Sequence, residues 1–376
     1  MLKKVWTWSC NSKIFYNKID AVKHSVANRE PIYYHAPDSY DNFPWFTEPK
    51  DTWDHVLKQR ALEIRNSSKK INIMFSGGCD STKMLETFVK NNIYVDSITC
   101  LKYGVPQADY EVTEVAEPYL KKIKHLIPKT KININSLTVE DYKNYYNDPY
   151  WSEKETMGND VRFRMTHAHM ENSVLHKSTS DVTHLLGRDK PSIVYHNGHW
   201  YCYFLDRDIE TNTVLNNANC VFFYADDSTI HAKQCHMLMN YFKNNFDPQM
   251  YESPKKIRDI DQKHINTGAG RINSVADFFI RKITDQSTVF DKQGNSVLVG
   301  SSKDATAVGY MIKEQEIEHL VRNWQQGLDN IKSDLGSQWL KQNQAMYGTV
   351  GVFSKFYCLT KPEVTTVDNL YPNGWK

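Results

Sequence analysis

Between residues 70 and 225 short apolar runs alternate with stretches of helical period. Residues 71–75 read as a buried strand, too short for a helix. Residues 79–90 place Met84, Leu85, Phe88 and Val89 on one side of a helix that Asn91-Asn92 closes. A second strand is predicted over 94–101, followed by a helical stretch over 109–126 that Pro118 kinks or splits. Residues 131–134 and 182–186 give a third and a fourth strand, with a helix over 160–177 between them. Strands separated by helices of this length imply an α/β fold: a parallel sheet with flanking helices and right-handed crossovers.

Beyond residue 190 the pattern changes. Two apolar runs, 192–195 and 200–205, flank His196-Asn197-Gly198-His199, and Asn-Gly is the strongest short hairpin signal. Residues 220–224 form a further strand. Ile317, Leu320, Val321, Trp324, Leu328, Ile331 and Leu335 make one apolar stripe, which predicts a core-facing helix over 314–335 that stops at Gly336. Upstream of the sheet a helix starts near Asp51 or Thr52 and ends near Asn66-Ser67-Ser68. The expected organisation is an irregular, aromatic-rich arm over 1–60, a nucleotide-binding α/β domain over 61–228 and a mostly helical part over 229–376.

Composition narrows the partners. The 376 residues suffice for two or three domains. Lys and Arg number 46 against 44 Asp and Glu, and a net charge of +2 excludes a strongly basic nucleic-acid-coating protein and an acidic tail. No apolar run exceeds six residues, whereas a membrane helix needs about 20, so no span is expected. Lys3 and Lys4 are followed by too short an apolar stretch for a signal peptide. The seven cysteines form no C-x-x-C pair, which fits a reduced, cytoplasmic protein without structural zinc.

One segment stands out chemically. Ser76-Gly77-Gly78-Cys79-Asp80-Ser81-Thr82 follows the first buried strand directly and opens a helix. Glycines let the backbone turn sharply and approach an anion, and the helix N-terminus offers free N–H groups and a positive dipole end. Ser76, Ser81 and Thr82 add hydroxyl donors. A carboxylate beside phosphates is sensible if Asp80 holds a magnesium ion that bridges to them. The plain alternative is an ordinary corner with a serine cap. Neither G-x-x-x-x-G-K-[ST] nor G-x-G-x-x-G is present at this loop.

The S-G-G-x-D-S string resembles the signature of the PP-loop ATP pyrophosphatase superfamily, whose members cleave ATP between the α- and β-phosphates. Two upstream pieces, Pro44-Trp45-Phe46-Thr47-Glu48-Pro49 and Arg60-Ala61-Leu62-Glu63-Ile64-Arg65, resemble the lead-in of phage-encoded proteins of the asparagine-synthase-like group. The resemblance implies an adenine nucleotide alpha hydrolase-like fold over about residues 60–225, with ATP and Mg²⁺ as cofactors. A glutaminase half of that family would need a cysteine at position 2, where this chain has Leu2, so ammonia is expected from a separate source. The adenine would lie at the end of the second strand, Cys100-Leu101-Lys102-Tyr103, with Leu101 as a slot residue.

The end of the fourth strand, Gly187-Arg188-Asp189-Lys190-Pro191, faces the same crevice, because parallel strands present their carboxyl ends together. In the asparagine synthetases to which the resemblance points, this place carries an acidic Gly-rich loop. This chain has one acid and two bases. Asp189 is a candidate metal ligand, and Arg188 or Lys190 a candidate for neutralising a departing pyrophosphate. Other combinations point less sharply. His167 and Glu171 are spaced as a helix-surface pair, and Cys79 reads as a packing residue. Gly268-Ala269-Gly270-Arg271 and Gly300-Ser301-Ser302-Lys303-Asp304 read as plain loops, Lys303 being the better candidate contact.

The expected function is AMP-forming adenylation of a small-molecule oxygen, followed by amide or amidine formation. A nucleobase in tRNA or DNA, or a nucleotide-binding module without turnover, remains the alternative.

Overall fold

The computed structural model describes residues 6–16, 18–102, 104, 109, 111–138, 140, 181–187, 191–204, 219–253, 256 and 353–372. The chain begins with a three-stranded antiparallel sheet, order β2-β1-β3, made of β1 (Thr7–Cys10), β2 (Lys13–Phe15) and β3 (Tyr33–His35). Helix α1 (Lys18–Asn28) connects β2 to β3. Trp8 and Tyr34 pair directly across the strands and are both fully buried. The short elements expected within the arm over 1–60 thus include a small sheet over residues 7–35. Strands of three or four residues are too short to display a period of two in sequence.

A short helix α2 (Asp38–Asp41) leads to α3 (Trp53–Ser67). Thr52 caps α3: its Oγ1 accepts from the His55 N–H at 3.3 Å, so the expected start is met. Next come β4 (Lys70–Met74), α4 (Cys79–Lys90) and β5 (Ser97–Lys102). A π-helical turn (Val112–Ala116) runs into α5 (Glu117–Ile123), so the split expected near Pro118 takes the form of a change in helix type. Then follow β6 (Lys131–Ser136) and β7 (Val182–Leu186). The next two strands, β8 (Ser192–His196) and β9 (His199–Tyr203), precede β10 (Asn219–Phe222).

Strands β10, β7, β4, β5 and β6 lie in that order in one sheet, and every pairing is parallel. Counted along the chain, the order is 3-2-1-4-5, that of a doubly wound sheet. The winding reverses between β4 and β7. At such a switch point the loops leaving the two strands diverge to opposite faces and open a crevice at the carboxyl ends.

Alternation divides the sheet's two faces. Ile71, Ile73, Ile98, Leu185 and Val221 pack with Leu57, Ile64, Leu85 and Phe88 in the main core. Across the sheet, Asn72 Oδ1 accepts from Ser97 Oγ at 2.8 Å and Thr99 Oγ1 at 2.9 Å. Asn72 Nδ2 lies 3.0 Å from Nδ1 of His184, its neighbour on β7. Burial pushes the His184 imidazole down to about 4, so it is neutral at physiological pH.

The Asn-Gly hairpin forms as expected. Asn197 (φ 47°) and Gly198 (φ 83°) both take the positive φ of a tight hairpin turn between β8 and β9. Two strands missing from the sequence reading join it: β11 (Phe356–Cys358) and β12 (Val364–Thr365), in the order β12-β11-β9-β8. The described part of 229–376 thus combines strands with α6 (Ser228–Asn245) and a short α7 (Val367–Leu370). The predicted helices over 160–177 and 314–335 lie outside the described residues. Near the end of the chain, Tyr357 stacks on Trp45 with ring centres 5.0 Å apart and donates to Asp41 Oδ1 at 2.9 Å. Lys355 Nζ reaches Asp41 Oδ2 at 2.6 Å. Among the described residues no helix is long and apolar enough to cross a membrane.

Candidate functional site

The segment 76–82 leaves β4 on the side of the switch point and enters α4. Gly77 has φ +81°, a conformation that L side chains resist, and a Cβ on it would lie 3.0 Å from both the backbone nitrogen and the Cβ of Ala116. Gly78 is the N-cap of α4 and provides no side-chain hydrogen bond. The first-turn N–H groups of α4 therefore lack the usual cap from the N-cap residue.

Hydroxyls tie the loop into shape. The Gly78 N–H donates to Ser76 Oγ at 3.2 Å, and the Ser76 N–H donates to Ser81 Oγ at 3.3 Å. Ser81 Oγ also lies 3.2 Å from Ser76 Oγ and donates to the Gly78 carbonyl at 3.1 Å. Thr82 Oγ1 donates to the Gly77 carbonyl at 3.4 Å. Ser76, Ser81 and Thr82 thus tie the turn together through their own hydroxyl oxygens. Asp80 sits in the first turn of α4, and its backbone carbonyl accepts from Tyr224 Oη at 3.0 Å.

The end of β7 meets this turn. A Cβ on Gly187 would stand 3.0 Å from both N and Cα of Ser81, so only glycine admits the approach without a shift. Gly187, the first residue after β7, thus lies beside the first loop. Arg188, Asp189 and Lys190 lie outside the described residues, as do His167, Glu171 and the Gly-containing pieces at 268–271 and 300–304. The side chain of Cys79 is likewise outside them.

Leu101 lies half-buried near the carboxyl end of β5, the strand next to β4, in register with Asn135. Cys100 beside it is fully buried; burial, reinforced by Glu117, pushes its thiol up to about 12. That thiol is protonated at neutral pH. Among the described residues no three His, Cys, Asp or Glu converge on a metal position. Magnesium typically takes one or two carboxylates and completes its shell with water and substrate phosphates, so Asp80 and the glycine-lined turn fit a phosphate-bridged ion rather than a protein cage. Compared with models of known protein families and with curated proteins, the chain matches none.

The two lead-in pieces have structural work. Arg60 is buried; its Nε donates to the Phe223 carbonyl and its Nη2 to the Phe222 carbonyl, both at 3.2 Å, which ties α3 to the end of β10. Trp45 Nε1 donates to the Tyr40 carbonyl at 2.7 Å, and Glu48 pairs with Lys233 of α6 at 2.7 Å. A separate cleft of about 330 Å³ between α3 and α4 is lined by Thr52, Lys58, Lys83 and Lys90, among others, and includes no residue of the 76–82 turn. Its Lys83 is paired with Asp54 at 3.0 Å.

Two residues at the turn escaped the sequence reading. Glu111 is only 8% exposed, and its Oε1 lies 3.3 Å from where a Cβ on Gly78 would stand. Tyr224 is the other, through its bond to Asp80. Both reach the turn by tertiary contact, and neither belongs to a local motif.

Proposed function

We propose that this protein is an ATP-dependent adenylating enzyme that cleaves ATP between the α- and β-phosphates and releases AMP and pyrophosphate. The observation that carries this reading is the S-G-G-x-D-S turn at the switch point of a 3-2-1-4-5 parallel sheet, with Gly78 leaving the helix start without a side-chain cap. Ligands of such sheets bind in that crevice, and a helix N-terminus favours phosphate.

In this reading the first-turn N–H groups of α4 and the hydroxyls of Ser76, Ser81 and Thr82 receive the pyrophosphate end of ATP. Gly77 and Gly78 let the backbone come close. The adenine lies toward Leu101 at the end of β5. Asp80 and Asp189 hold magnesium, which neutralises phosphate charge when bound. Lys190 stabilises negative charge collecting on the leaving group. A carboxylate or carbonyl oxygen of the substrate attacks the α-phosphorus, and the bond to the bridging oxygen of pyrophosphate breaks. An amine then displaces AMP and forms an amide or amidine, with ammonia from a separate source. Catalysis rests on positioning and on electrostatics, and needs no nucleophilic side chain.

The asparagine-synthase-like resemblance favours a small-molecule acceptor in the cytoplasm, including a host's cytoplasm for a phage protein. The near-neutral charge favours it over tRNA or DNA. The test is ATP–pyrophosphate exchange across a panel of carboxylates, amides, nucleobases and tRNA, with product analysis. Exchange stimulated by one class names the acceptor. ADP and orthophosphate as the only products overturn the reading, and no exchange with any acceptor leaves a binding module.

A further inference from the structure

We propose that the cleft between α3 and α4 is a second ligand site, which takes a small phosphate monoester such as a sugar phosphate. The site does not depend on what the 76–82 turn binds. It rests on a mismatch at Lys83, one of the residues lining the cleft. The Lys83 side chain is 9% exposed, whereas the Asp54 carboxylate that pairs with it at 3.0 Å is 82% exposed. A buried ammonium needs a close counter-charge, because only a partner offsets the cost of leaving water. An exposed carboxylate is a weak one: water solvates it well, and holding it in place costs side-chain entropy. Asp54 also lies in the first turn of α3, where the helix dipole favours a carboxylate, so it loses little on parting from Lys83. A phosphate monoester in the cleft brings more negative charge to Lys83 and lets Asp54 turn out to solvent.

The rest of the lining suits such a ligand. Asp54 and Lys58 stand four residues apart on α3, and Lys83 and Lys90 seven apart on α4, so each pair shares a helix face. All four line the cleft. Lys58 makes no ion pair among the described residues. Glu86, the second acid of the lining, is engaged from two sides: the Tyr119 hydroxyl donates to its Oε1 at 3.4 Å, and Lys90 stands 3.6 Å from its Oε2. His55 faces Asp51 at 3.9 Å. Once Asp54 has turned out, the three lysines face one carboxylate of the lining. Every residue that lines the cleft is polar or charged, and its volume of about 330 Å³ is at the small end of ligand sites. Both features favour a compact, hydrophilic anion over an apolar ligand.

The test uses the full chain with ribose 5-phosphate as the probe and ribose as the uncharged control. Calorimetry gives the Kd, and lysine acylation read by mass spectrometry locates the ligand. Ribose 5-phosphate at millimolar concentration is expected to protect Lys58 and Lys90, and ribose to protect neither. Lys58→Ala, an exposed substitution, should weaken binding about tenfold. Asp54→Asn should tighten it about threefold, because it removes the competitor for Lys83. A pair that serves stability alone gives no such tightening. Melting temperatures report whether each variant is folded; if Asp54→Asn is not, the protection pattern and Lys58→Ala decide. Unchanged or weaker binding in folded Asp54→Asn overturns the proposal. So does a wild-type chain in which ribose 5-phosphate protects neither lysine; heat of binding that survives Lys58→Ala then places the phosphate elsewhere, such as at the 76–82 turn. Protection by a single-stranded oligonucleotide but not by ribose 5-phosphate overturns it as well and makes the lysines a nucleic-acid surface.

Discussion

At the carboxyl end of β4 the chain turns through Ser76-Gly77-Gly78 into α4, and at the carboxyl end of β10 it turns through residues 223–227 into α6. Both corners leave the same end of one parallel sheet, on either side of β7. The second corner is closed by its own side chains. Asp227 accepts from the N–H groups of Thr229 at 2.8 Å and Ile230 at 3.1 Å, and Asp226 Oδ2 accepts from the Phe222 N–H at 3.0 Å. At the first corner the N-cap is a glycine without a side chain to contribute. A built-in carboxylate fills the position that an anion would take, whereas glycine leaves it to a ligand. The same topology thus yields a corner capped by its own side chain at one strand and a corner without such a cap at the other, and the N-cap residue makes the difference.

The largest expected effect bears on the segment that follows β7 in sequence. Lys190→Ala is expected to lower the single-turnover rate of AMP formation by ~10²–10³, about 2.7–4 kcal/mol, while ATP affinity changes far less. Wild-type turnover would assign Lys190 to a solvated turn. Next is the strand that separates the corners. His184 of β7 titrates near 4 in the fold and at 6.5 in an unfolded chain. Above pH 6.5 both states are neutral there, so the full contribution is present. As pH falls, the unfolded state takes up the proton first, and stability is lost between about 6.5 and 4. Urea unfolding at pH 7 and pH 4 should show a larger drop for wild type than for His184→Gln, by up to roughly 3 kcal/mol. Equal drops would remove His184 as the cause.

Turning the first corner into the second is the direct test of the comparison. Gly78→Asp supplies a cap at φ −67°, ψ 160°, which any residue adopts. It should weaken ATP binding about a hundredfold, or ~2.7 kcal/mol; the new Cβ would stand 3.2 Å from Ser76 Oγ and 3.3 Å from Glu111 Oε1, so a thermal melt checks that the variant keeps its fold. Undiminished binding would break the comparison. The reverse change has the smallest effect. Asp227→Ala should cost about 1 kcal/mol of stability in denaturant melts and leave ATP affinity as it was. A loss of affinity there would mean that the corners are coupled, with the Tyr224–Asp80 bond as the first suspect.

Much of the scaffold was legible because its signals are local. The helix over 79–90, the strand over 182–186 and the hairpin turn at Asn197-Gly198 were read at their observed bounds. Their signals are a periodic apolar face, a short apolar run between polar residues and a turn dipeptide. What stayed hidden depends on distant partners. Phe356–Cys358 is a strand because β9 lies beside it, and three residues have no period of their own. Glu111 looks like any helix-surface acid until its contact with Gly78 is seen. Arg60 read as part of a lead-in, and its work is to hold the carbonyl end of β10.

The clasp between Asp41, Trp45 and Tyr357 has a consequence for how the protein is made. Asp41 leaves the ribosome 316 residues before Tyr357. At about 5–20 residues per second, that is a wait of about 15–60 s. All five parallel strands, 70–222, emerge within that interval, so the sheet is free to assemble before the clasp closes. Until then Trp45 is without the ring it stacks on, and β9 is without its β11 neighbour. Nascent chains stalled before residue 356 should therefore be the stage most in need of chaperones, and stop codons shortly before that point should give aggregation in place of a shortened native protein.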